Sequence, residues 1–120
     1  MDTTVQAKKA QTLDQLLTNE YGVNTHLSPD TKVVAVGVTV TALCGNSPNR
    51  VGLTFINLSG ANIYVMTDNL VSASRGILLT ANGGTLSLDW RTDFALVGYD
   101  WYALATGAAS NLQVIALETQ

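Results

Sequence analysis

The chain has little charge. Asp, Glu, Lys and Arg make up 12% of its 120 residues, about half of the usual ~25%. Nine acidic residues face six basic ones, a formal net charge of -3. No basic stripe is present to neutralise phosphates, which argues against nucleic acid as a partner. Cysteine occurs once, at Cys44. It cannot close an internal disulfide and has no evident partners for a metal site. It reads as a small, buried or half-buried apolar residue. Histidine also occurs once, at His26, so any Ser-His-Asp or Cys-His arrangement would have to use it. It falls between a predicted helix and the turn at Pro29, where a catalytic base would be poorly fixed. There is no His pair, no G-x-S-x-G and no P-loop. Gly83-Gly84 leads into a strand rather than a helix, so it reads as a turn and not a phosphate cradle. No run approaches 18 apolar residues, so no helical membrane span is expected. Met1 to Lys9 is polar and predicts no signal peptide.

Apolar residues are not scarce. They make up 47% of the chain, which argues against disorder and allows one buried core in a chain of this length. Residues 1–30 hold the only helix-like pattern. Thr12-Leu13-Asp14-Gln15 is a capping box, and Leu13, Leu16, Leu17 and Tyr21 then recur on one helical face. Gly22 is the stop. The spacing predicts a short helix over 12–21 behind a polar arm, too short to be stable undocked.

From Thr31 onward the period is two. Val34, Val36, Val38 and Val40 alternate with smaller residues, as do Val51, Leu53 and Phe55, and Leu86, Leu88 and Trp90. Ala61–Met66, Gly76–Thr80, Phe94–Gly98, Trp101–Thr106 and Asn111–Leu117 complete about eight strand candidates. Short turn signals separate them, including Ser47-Pro48-Asn49 and Asn82-Gly83-Gly84. The reading is an all-β, antiparallel sandwich or barrel over 31–120, with the arm and helix over 1–30 in front.

Several strands are apolar on both faces. Ile63 and Val65 alternate with Tyr64 and Met66. Trp101 and Ala103 alternate with Tyr102 and Leu104. A free-standing sandwich keeps its outer faces polar. A covered outer face is therefore expected, which points to a homo-oligomer. Leu13, Leu16, Leu17 and Tyr21 are interface candidates through the helix. Arg50, Arg75 and Arg91 stand at strand edges, as solvated rim residues or interface anchors. Trp90, Trp101 and Tyr102 are aromatic interface candidates. With Tyr99 they also suggest a sugar platform, although Trp101 and Tyr102 point to opposite faces. Asp89, Asp93 and Asp100 flank the aromatic strands, with Asp68 in a turn. Turn capping, a loop calcium site and paired-carboxylate hydrolysis are the alternatives. No catalytic residue, cofactor or metal site is expected. Asn57-Leu58-Ser59 matches the glycosylation pattern, without a secretion signal to give it meaning.

Arg50-Val51-Gly52-Leu53-Thr54-Phe55-Ile56-Asn57-Leu58-Ser59 leads into Ala61-Asn62-Ile63-Tyr64-Val65. Then come Gly76-Ile77-Leu78-Leu79, Gly83-Gly84-Thr85-Leu86 and Trp101-Tyr102-Ala103-Leu104-Ala105-Thr106. Over about residues 48–118 this resembles small virion structural proteins of tailed bacteriophages that decorate or cement the capsid. The resemblance implies a compact β-sandwich or jelly roll, often a trimer, bridging neighbouring major capsid proteins. It implies no active site and a place on the capsid exterior after synthesis in the host cytoplasm. A tail or head-fibre module binding a receptor or glycan is the alternative.

Overall fold

A computed structural model describes Thr12, Gln15, Leu16, Thr18, Glu20, Gly22 and residues 24–119. Gln15, Leu16, Thr18 and Glu20 are helical. The capping box forms as the sequence predicts. The Thr12 N–H donates to Gln15 Oε1 at 2.8 Å, and the Gln15 N–H donates to Thr12 Oγ1 at 3.3 Å. The Gly22 N–H closes the end on Thr18 O at 2.8 Å, with Gly22 at φ +73°, the left-handed cap that suits glycine.

The rest is mostly β. Nine strands are formed among the described residues: β1 (Thr25–Leu27), β2 (Lys32–Val36), β3 (Thr41–Cys44), β4 (Arg50–Asn57), β5 (Ile63–Met66), β6 (Ile77–Leu79), β7 (Thr85–Asp89), β8 (Trp101–Ala105) and β9 (Ser110–Thr119). They make two antiparallel sheets. The first runs β1-β9-β4-β7, with β2 also paired to β9; the second runs β3-β8-β5-β6. The pairings are nested. β5 pairs with β6, β4 with β7, β3 with β8 and β2 with β9. Successive pairs alternate between the two sheets.

One apolar cluster draws on both sheets. Leu53, Phe55, Leu88, Leu112, Val114 and Ala116 come from the first, and Leu43, Ile63, Val65, Leu79, Trp101 and Ala103 from the second. Each such large side chain contributes about 1.5–3 kcal/mol on full burial. Phe55 meets Trp101 edge-on, with centroids 5.5 Å apart and an interplanar angle of 61°. Among the described residues, no helix is long and apolar enough to cross a membrane.

The structure departs from the sequence reading in four places. The valine run over 34–40 is not one strand. Val36 is buried in the first sheet, Val38 and Val40 are exposed, and the chain re-enters β structure at Thr41 in the second sheet. Phe94–Gly98 is a 3-10 helix rather than a strand. Trp90 does not continue the inward row of Leu86 and Leu88; it opens a one-turn helix, α1 (Trp90–Asp93). Lastly, β1 lies before the expected boundary at residue 30, yet it pairs with β9 in the register Leu27↔Leu117.

Candidate functional site

Two carboxylates cause the turn away from β structure at Trp90. Asp89 Oδ1 accepts from the Arg91 N–H at 2.6 Å, the N-cap bond of α1. Asp93 Oδ2 reaches back to accept from the Asp89 N–H at 2.9 Å. Both are local caps, as the turn reading of these residues had it. The 3-10 helix that follows is pressed on the β3–β4 connection, where the Ser47 N–H donates to Gly98 O at 2.9 Å. A Cβ on Gly98 would lie 2.8 Å from Ser47 O, so only glycine fits there.

This end of the molecule carries an aromatic cleft. Its volume is about 440 Å³, and Trp90, Phe94, Tyr99, Asn46, Pro48 and Arg50 are among its lining residues. Trp90 is 44%, Phe94 75% and Tyr99 47% exposed. The Arg91 guanidinium lies over the Trp90 ring, 5.7 Å from its centroid. Phe94 adopts φ 53°, ψ -131°, a conformation that a bulky L-residue rarely takes. Its N–H is spent on Trp90 O.

Arg50 holds the floor. It was expected at a rim or interface but is 2% exposed. Nη1 donates to Val97 O at 3.3 Å and Tyr99 O at 3.2 Å. Nη2 donates to Gly45 O at 2.8 Å and to Asp30 Oδ2 at 3.0 Å. Four acceptors from three separate segments converge on one guanidinium, which is why it is buried. Trp101, another interface candidate, is also internal: it is 1% exposed, and its Nε1 donates to Leu96 O at 3.2 Å.

The remaining candidates lie elsewhere. Leu13, Leu17 and Tyr21 fall outside the described residues; Leu16 is 39% exposed. Arg75 is exposed and paired with Asp68, and that contact holds the Asp68 carboxyl below its ordinary range. Tyr102 is half-buried on the outer face of the second sheet. By register it sits between Ala42 and Met66, and the next row is Leu104, Tyr64 and Leu78. None of these six outward positions is charged. The first sheet also presents apolar residues outward: Leu27, Val33, Ile115 and Leu117 are all exposed. The expectation of two apolar faces therefore has named residues on both sheets.

Other chemistry is sparse. His26 Nε2 contacts Glu118 Oε1 at 3.1 Å across β1 and β9. Among the described residues, no three His, Cys, Asp or Glu side chains cluster to hold a metal. A smaller cleft of about 240 Å³ lies by Asp30, Lys32, Cys44, Asp100 and Tyr102. Burial pushes the Cys44 thiol above its usual range there. Asn57 has no exposed surface, so a glycan there is incompatible with this fold.

Comparison of the chain with family models, curated proteins and solved structures gave no match. The cleft was half legible in the sequence. Trp90 and Tyr99 are sugar-platform candidates in the sequence, whereas Phe94 is not, because its segment carries the apolar pattern of a strand. The carboxylate cap at Asp89 before Trp90 was the available signal that the strand stops there.

Proposed function

We propose that this chain is a non-enzymatic virion structural protein that decorates or cements a tailed-phage capsid as a homo-oligomer. In this reading strands β2–β9 form a jelly roll. The nested pairing of β5 with β6, β4 with β7, β3 with β8 and β2 with β9 supports it, since a double-sheet jelly roll wraps a folded ribbon in this way.

The observation that carries the assembly is the outer face of the second sheet. Ala42, Tyr64, Met66, Leu78, Tyr102 and Leu104 form an uncharged surface on a short-looped β domain. A second apolar surface lies on the other sheet, at Leu27, Val33, Ile115 and Leu117. Two different apolar faces suit a head-to-tail contact, which closes into a ring when the rotation fits. A trimer is the ring that the family resemblance implies. The partner on the shell is the major capsid protein.

Light scattering of the purified protein tests the assembly, and co-sedimentation with mature capsids tests the role. The expected results are three times the 12.7 kDa chain mass and saturable capsid binding. A monodisperse monomer would overturn the assembly, and failure to co-sediment would overturn the decoration role.

A further inference from the structure

Beyond this role, we infer that the aromatic cleft at the α1 end is a carbohydrate-binding site for a neutral saccharide. The rings come first. Trp90, Phe94 and Tyr99 are 44%, 75% and 47% exposed around one cleft. Isolated exposed aromatics need no explanation, but three converging on one concavity do. The cleft volume of about 440 Å³ falls within the ~300–1,000 Å³ usual for small-ligand sites.

The rings are held outward at a cost. Phe94 sits at φ 53°, ψ -131°, and strain of this kind persists where surrounding structure imposes it, often at binding sites. The walls are fixed before any ligand arrives. Asp89 and Asp93 cap α1, and Arg50 ties Val97 O and Tyr99 O to the floor. A preorganised site loses little entropy on binding.

The charge pattern selects the ligand. Among the described lining residues, Arg50 alone is charged, and Asp30 neutralises it. The Arg91 guanidinium over the Trp90 ring adds N–H donors at the cleft edge, while the net charge of -3 opposes an anionic ligand. What remains is flat aromatic surface with an amide, Asn46, beside it. A pyranose matches both. Its C–H face is weakly positive and stacks on the negative face of an aromatic ring, and its edge hydroxyls can bond an amide that both donates and accepts. An aliphatic peptide side chain would cover the rings and leave Asn46 unanswered. The site does not depend on the sheet faces that the proposed assembly would use.

A broad glycan array probed with the 120-residue chain is the test, followed by titration with the glycans that bind, by fluorescence for the parent and by isothermal titration calorimetry for the parent and every variant. Trp90 reports on the cleft, while buried Trp101 reports on the fold. Binding is expected to shift Trp90 emission. Trp90→Ala and Phe94→Ala are each expected to raise Kd about tenfold or more. Exposed Leu58→Ala, on the β4–β5 connection, should leave Kd unchanged. An array without hits would overturn the proposal, as would glycan binding that survives both cleft variants with Trp101 emission unaltered.

Discussion

Arg50 Nη2 donates to Asp30 Oδ2 at 3.0 Å, from a guanidinium that is fully buried to a carboxylate whose side chain is 36% exposed. The pair is unequal, and so are the consequences of breaking it. Asp30→Asn leaves Arg50 with three carbonyl acceptors and is expected to cost about 1.5–3 kcal/mol. Arg50→Met leaves the carbonyls of Gly45, Val97 and Tyr99 without their donor, while the partly exposed Asp30 can turn to water, and is expected to cost about 3–5 kcal/mol. Urea unfolding measures both. Arg50→Met costing no more than Asp30→Asn would remove the hub role.

Asn57 is a second buried hub. Its Nδ2 donates toward Ala61 O at 2.8 Å, Leu79 O at 3.0 Å and Thr80 O at 3.1 Å. Two N–H bonds serve three carbonyls, so one is shared. Oδ1 accepts from the Ser59 N–H at 2.9 Å and from Ser59 Oγ at 2.7 Å. Asn57→Ala leaves this set unpaired beside the core and is expected to destabilise by about 2–4 kcal/mol. A shift in the urea midpoint at constant slope checks it. Expression in a glycosylating host should give no mass increase at this site.

Cys44 gives a pH prediction. Burial raises its thiol pKa, outweighing the lowering by Arg50. The folded state therefore keeps its proton to higher pH than the unfolded chain. The contribution to stability is intact below the unfolded thiol pKa, about 8.5. It is lost as pH rises from there through the folded value. Stability should fall more steeply above that pH in the parent protein than in Cys44→Ala. Parallel curves from urea titrations at several pH values would exclude the thiol.

Local alternation made most strands legible. Leu86 and Leu88, Ile63 and Val65, and Leu112 and Val114 point inward as their period requires. The sheet change after Val36 was hidden because valines continue at the same period through Val38 and Val40. The cue was Gly37, whose carbonyl accepts from the Ala105 N–H at 2.9 Å as the chain passes between sheets. Arg50 reads as a rim residue in the sequence for a different reason: its four acceptors lie in three separate segments, a convergence that only the fold creates. Phe94–Gly98 is apolar enough for a strand, and the caps at Asp89 and Asp93 override that pattern.

Phe94→Gly separates the strain from its use. Glycine adopts φ 53°, ψ -131° without the clash of a side chain. Phe94 is 75% exposed, so little burial is lost with its ring. The variant is expected to be more stable than the parent by about 1 kcal/mol, despite the general cost of added glycine. Saccharide affinity should fall at the same time. Urea midpoints and the calorimetric titration read the two effects on one sample. A destabilised Phe94→Gly would mean that the ring anchors the 3-10 helix, not that the backbone is strained.

Leu78→Lys tests the uncharged outer face of the second sheet without touching the core. Leu78 lies on edge strand β6, opposite Tyr64, and is 46% exposed. A lysine there can extend into water, so monomer stability should change by no more than about 0.5 kcal/mol. In the assembly the same lysine would be buried against an apolar surface. An unpaired buried charge costs several kcal/mol, enough to dissociate an oligomer at micromolar concentration. Light scattering should then report a folded monomer, and capsid binding should weaken as multivalency is lost. If the variant keeps the parent's oligomeric mass, the contact lies elsewhere. The first sheet's outer residues, Leu27 and Leu117, would be the next to receive a charge.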